Sequence, residues 1–178
     1  MRAPAGATGA ALAVMLPTVG GTRALGRSLA ALLSAGDLIV LAGPLGAGKT
    51  TLVQGIGAGL GVPGPITSPT FVLARVHRGG RLPLVHADAY RLGGLAEVDE
   101  LDLDASLPES VTVVEWGHGL VERLADAHLE VRLSMPGSED TRVAELVPHG
   151  DRWPGRLASL ARTLPGYDND LICSEDST

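Results

Sequence analysis

Gly43-Pro44-Leu45-Gly46-Ala47-Gly48-Lys49-Thr50 is a complete phosphate-binding loop pattern: glycine, four residues, then glycine-lysine-threonine. Of the 14 lysine and arginine residues in the chain, only Lys49 is lysine. A compact ammonium on a flexible stem can reach between β- and γ-phosphates, which the broad guanidinium fork does poorly. Backbone N–H groups of Gly46, Ala47, Gly48, Lys49, Thr50 and Thr51 would cradle the anion at a helix N-terminus. The chemistry expected of these residues is nucleoside triphosphate binding.

Such a loop works with a magnesium ion, held by the loop hydroxyl and by a carboxylate at the end of a neighbouring strand. Thr50 supplies the hydroxyl. Two carboxylates end apolar runs: Glu115 after Val111-Thr112-Val113-Val114, and Asp88 after 82–87. Pro83 and His86 interrupt the second run, so Glu115 is favoured for the metal and Asp88 for positioning or activating the attacking water. The hydroxyls of Thr67-Ser68-Pro69-Thr70 have two readings: a γ-phosphate sensor of the switch type, or an ordinary capped turn before a strand. Arg75, Arg78, Arg81 and Arg91, with His77 and His86, form either a solvated face or a contact for a partner or phosphate-bearing ligand.

The elements that position these residues follow from hydrophobic period and punctuation. A helix is expected over 22–33, with Thr18 or Thr22 as its cap and Gly36 ending it. The apolar run 38–41 reads as the strand feeding the loop, and a helix follows to about residue 60 with Leu52, Val53, Ile56 and Leu60 facing the core. Gly55, Gly57 and Gly59 weaken that helix by roughly 1 kcal/mol each against alanine, which points to close packing or mobility. Strands over 71–76 and 82–87 form a hairpin around 77–81. An acidic amphipathic helix is expected over 95–103, strands over 111–114, 129–133 and 142–147, and a closing helix over 153–164. This alternation predicts an α/β fold: a three-layer sandwich around a mixed central sheet, as in phosphate-loop NTPases, with nucleotide at the carboxyl ends of the strands.

With 178 residues, one domain over 1–164 is expected, followed by an acidic, disordered tail over 165–178. A net charge of −6 and a pI near 5.3 argue against autonomous binding of nucleic acid. Cys173 is the only cysteine, which excludes an internal disulfide and a zinc cluster. The Ala- and Gly-rich stretch 3–16 lacks the apolar core of a signal peptide, and no segment approaches the ~18 apolar residues of a membrane span. A cytoplasmic protein without membrane contact is expected. Asn-Lys-x-Asp is absent, removing the usual guanine reader, and so is the Leu-Ser-Gly-Gly-Gln of transporter ATPases.

Gly43 to Thr51, Thr67-Ser68-Pro69-Thr70-Phe71, His86-Ala87-Asp88-Ala89-Tyr90-Arg91 and Val113-Val114-Glu115-Trp116, in that order, resemble the signature of the bacterial TsaE proteins. Those are ATPases required for making threonylcarbamoyladenosine in tRNA. The resemblance spans roughly residues 16–150. It implies that Lys49 holds phosphate, that Thr50 and Glu115 take magnesium, and that Asp88 serves catalysis, with Lys49 and Thr70 beside it. It also implies that Trp116 lies near the ATP, that Arg142 contacts nucleotide, and that the segment at Thr18 cradles adenine. The implied partners are a TsaD–TsaB-like pair that modifies the adenosine beside the anticodon, with tRNA held only indirectly through the complex. The lone chain would hydrolyse ATP slowly. The family often carries a second acid two residues after the tryptophan; His118 stands there instead. The competing readings from the residues alone are a small-molecule kinase and a nucleotide-gated binding module.

Overall fold

The computed structural model describes residues 9–137 and 140–164. The tail 165–178, Cys173 with it, lies outside the described residues, as do residues 1–8.

Seven strands form one mixed sheet: β1 (Leu12–Leu16), β2 (Leu38–Ala42), β3 (Ala74–His77), β4 (Leu84–Asp88), β5 (Val111–Glu115), β6 (His128–Ser134) and β7 (Arg142–His149). Their order is β1-β7-β6-β2-β5-β4-β3. The centre is parallel, with β2 between β6 and β5 and β5 beside β4. Both margins are antiparallel. Central strands β4 and β5 are buried along their whole length and β2 as far as Leu41, as expected of parallel strands covered on both faces.

Strand alternation divides the core in two. Ile39, Leu41, Val113, Leu129 and Val131 face a layer made by α1 (Val19–Ala30), α2 (Lys49–Leu60) and α5 (Trp153–Ala161). Leu38, Val40, Val85, Ala87 and Val114 face a thinner layer containing α3 (Leu95–Asp99) and α4 (Leu103–Ser106). No helix among the described residues is long and apolar enough to cross a membrane.

The observed elements depart from the sequence reading in four places. Helix α1 starts at Val19, because Thr18 accepts from the Gly21 N–H at 3.0 Å and caps it; Thr22 is instead buried inside the helix. Residues 71–73 are a turn and not strand, since Val72 and Leu73 both donate to the Pro69 carbonyl; Phe71 is left 85% exposed. The acidic segment 95–103 breaks into two short helices at Asp102, whose φ of 50° lies in the left-handed region that aspartate tolerates. Strand β1 was not anticipated. It is built by antiparallel pairing with β7, in which Leu12 lies opposite Leu146, 134 positions further along the chain, a contact no local pattern announces.

Close packing explains the glycines of α2. A Cβ on Gly55 would come within 2.3 Å of the Arg23 carbonyl oxygen, and one on Gly26 within 2.5 Å of the Leu52 carbonyl oxygen. The two helices therefore touch backbone to backbone. Gly55→Ala should lower stability by about 1–2 kcal/mol in urea denaturation, because overpacking outweighs the roughly 1 kcal/mol that alanine adds to helix propensity.

Candidate functional site

Period-2 alternation puts His86 and Asp88 of β4, and Val113 and Glu115 of β5, on the face toward α2. Strand β2 ends in the glycine loop, so the first turn of α2 sits over the carboxyl ends of β5 and β4. Gly48 makes the turn into the helix at φ 100°, a left-handed conformation that glycine adopts without steric cost. The juxtaposition that results is direct: the Thr50 hydroxyl donates to Glu115 Oε1 at 2.8 Å. His86 Nε2 lies 2.8 Å from the same oxygen.

Asp88 occupies the other side of the site. Its Oδ2 accepts from the Thr70 hydroxyl at 2.9 Å and from the Ser68 hydroxyl at 3.1 Å, while Oδ1 accepts from the Tyr90 N–H at 2.9 Å. The hydroxyl-rich loop is thus tied to the end of β4, which a simple capped turn would not require. Ser68 belongs to the hydroxyl loop that the sequence singled out, whereas Tyr90, whose backbone N–H reaches Asp88, was not among the expected site residues.

The Lys49 ammonium donates to the carbonyls of Gly43 and Pro44 at 2.8 and 2.9 Å and lies 3.9 Å from the centre of the Trp116 ring. Burial pulls its pKa down, and the charges of Glu115 and Asp88 oppose that shift. Trp116 reaches this position with φ 60°, unusual for a bulky side chain, and packs 5.0 Å from Tyr90. Arg142 donates to the Gly46 carbonyl at 3.4 Å, on the loop itself. Thr18 caps α1, whose Thr22 packs against Gly48, so that helix start abuts the loop. Ala47 is buried beneath the loop and does not line its cavity.

A cavity of about 400 Å³ joins Gly46, Gly48, Lys49, Thr50 and Thr51 to Thr70, Asp88, Glu115 and Trp116. A second cavity, of about 300 Å³ beside Gln54 and Ile66, has no titratable lining side chain. The hydroxyl, carboxylate and ammonium groups of the site are gathered around the first. Its protein donors toward a cation are the Thr50 hydroxyl and carboxylate oxygens, a hard-oxygen set that suits magnesium sharing its shell with phosphate and water. His118 points elsewhere: its Nδ1 lies 2.9 Å from Glu130 Oε1. Burial works against the Glu130 charge, but hydrogen bonds and charge from Arg132 hold that carboxyl below the ordinary range.

The family model for the threonylcarbamoyl adenosine biosynthesis protein TsaE matches residues 16–144. A Streptomyces coelicolor protein named tRNA threonylcarbamoyladenosine biosynthesis protein TsaE is 56% identical over 137 residues, 74% of this chain and 93% of that protein. A Mycobacterium tuberculosis protein of the same name is 53% identical over 152 residues, 80% of this chain and 90% of its own. The crystal structure of Bacillus subtilis YdiB superposes with a TM-score of 0.71 at 30% identity, covering 86% of this chain and 95% of that one. The α/β fold with its mixed sheet matches that structure.

Proposed function

The chain belongs to the TsaE family, and from that premise we propose that it binds ATP with magnesium and hydrolyses it in support of threonylcarbamoyladenosine formation on tRNA. The observation that carries the nucleotide chemistry is the 2.8 Å contact between Thr50 and Glu115 at the foot of the phosphate-loop cavity. In this reading the loop N–H groups and Lys49 bind the β- and γ-phosphates, Trp116 and Arg142 flank the nucleotide, and the segment at Thr18 lies against adenine. Thr50 and Glu115 hold the ion, which when bound neutralises charge on the phosphate oxygens. Asp88 orients a water between Thr70 and the γ-phosphate. As the water oxygen bonds to phosphorus, the bond to the β-phosphate oxygen breaks, and Asp88 takes the water's proton before passing it to the released phosphate.

No arginine among the described residues lines the cavity: Arg142 is held at the loop backbone and Arg91 lies over Phe71, 4.6 Å from its ring centre. Arginine stabilisation of a transferring phosphoryl group contributes roughly 10³–10⁵ in rate elsewhere. The isolated chain is therefore expected to turn over slowly, and a TsaD–TsaB-like pair to accelerate or couple its cycle, holding tRNA in its own surfaces. Phosphate release from labelled ATP, measured with and without those partners, tests this, together with the modified nucleoside in depleted cells. Fast turnover by the lone chain, unchanged by partners and with normal tRNA modification after depletion, would sink the proposal. A labelled small-molecule product in place of free phosphate would establish a kinase.

Glu115→Ala should keep metal-free ATP affinity within a few-fold and weaken metal binding at least about tenfold, because Thr50 alone cannot fix the ion. A Mn²⁺ titration in the presence of ADP reads the difference.

A further inference from the structure

We infer that His86 is a positioning residue for the ion: its Nε2–H pins Glu115 Oε1 beside Thr50, leaving Oε2 for the ion's shell. This rests on the magnesium-dependent reading of the site.

His86 is fully buried on β4, in register with Val113 of β5 and Arg75 of β3. Burying a polar ring in that apolar layer is unfavourable unless a hydrogen bond offsets the lost water. The ring makes one such bond, at 2.8 Å to Glu115 Oε1. Because the acceptor is a carboxylate, Nε2 carries the proton; Nδ1 has no partner among the described residues. His77 is the neighbouring ring, with centroids 6.5 Å apart, and its Nε2 likewise has no partner among the described residues.

Two donors converge on that one oxygen. The Thr50 hydroxyl gives its proton to Oε1 and keeps its lone pairs for a cation, while the imidazole holds the same oxygen from the sheet side. A glutamate has three side-chain torsions to fix, and a hydroxyl hydrogen turns easily about its C–O bond. Without His86 the carboxylate would be held by one rotatable hydroxyl. Groups that orient a metal-binding side chain in this way are worth about 10–100-fold in metal affinity.

The reach of the donor makes a discriminating test. A glutamine amide nitrogen can occupy the place of Nε2, whereas an asparagine nitrogen reaches only as far as Nδ1. Free Mn²⁺ is titrated by electron paramagnetic resonance in the presence of ADP, and ADP affinity is measured separately in EDTA. His86→Leu and His86→Asn should weaken Mn²⁺ binding about 10–100-fold, His86→Gln should stay within about threefold, and metal-free ADP affinity should be unchanged in all three. Thermal melts report whether each variant is folded; if the leucine variant is not, the glutamine–asparagine contrast decides. Leucine titrating like the parent, or glutamine as weak as asparagine, overturns the inference. A parent chain that binds ADP but takes up no Mn²⁺ overturns the magnesium reading itself.

Discussion

Lys49→Ala should bind ATP at least about 100-fold more weakly than the parent chain while melting at nearly the same temperature. The ammonium is buried between the Gly43 and Pro44 carbonyls and the Trp116 ring, with Glu115 and Asp88 close enough to support its charge. A partly desolvated cation facing phosphate makes charge-assisted hydrogen bonds of about 1.5–3 kcal/mol, and losing 3 kcal/mol is about a 100-fold change in affinity. The loop's N–H groups survive the substitution, which is why some affinity remains. Stability is largely spared because the Lys49 hydrogen bonds go to backbone carbonyls of its own loop and its side chain belongs to neither core cluster, so that beyond the loop only the contact with the Trp116 ring is lost. Lys49→Arg should not restore binding, since a planar guanidinium does not fit the space between two carbonyls and an indole face. Calorimetric titration with near-parental affinity in the alanine variant would remove the phosphate-loop assignment.

Asp88→Asn should slow hydrolysis about 10²–10⁴-fold with a far smaller effect on ADP and metal affinity. The amide keeps the shape of the carboxylate and can still accept the Tyr90 N–H, but it cannot take a proton from water. The separation from Glu115 is geometric: Asp88 bonds the hydroxyls of Thr70 and Ser68, whereas Glu115 bonds the hydroxyl of Thr50. Single-turnover phosphate release and the Mn²⁺ titration should therefore move in opposite proportions in the two variants. A titration in which Asp88→Asn loses the metal and Glu115→Ala keeps it would exchange the roles.

The glycine loop and the strand–loop–helix around it were legible because each signal is local. An apolar run, a set of glycines and a periodic helix lie within about 25 residues, and the backbone there has few alternatives. The carboxylates at 88 and 115 were legible for a related reason, since each ends a buried run at the edge where a parallel sheet meets its ligand. Less could be read at the margins. Strand β1 forms only by pairing with β7, so its Ala-rich surroundings suggested nothing. Strand propensity at Phe71 and Val72 predicts a longer first strand for the hairpin, but the carbonyl of Pro69 captures the N–H groups of Val72 and Leu73 into a turn. The apolar period of the acidic segment runs on through Leu101 and Leu103 and predicts one helix, whereas the chain takes the left-handed conformation at Asp102 and breaks there.

By itself the sequence determined which groups are available: one lysine in a phosphate loop, a threonine beside it, and carboxylates at two strand ends. It also committed His86 and Asp88 to one face of their strand, since side chains alternate along 84–88; that Glu115 shares that face was decided by the register of β5 against β4. Only the tertiary structure decided which of them meet. Thr50 and Glu115 are 65 positions apart, and they touch because β5 pairs directly with β2 and carries its last residue beneath the first turn of α2. The turn of Trp116 over Lys49, and the sharing of one carboxylate oxygen by Thr50 and His86, likewise depend on strand order and register. Those are properties of long-range backbone hydrogen bonding, in which neighbouring strands lie about 4.8 Å apart whatever their distance along the chain.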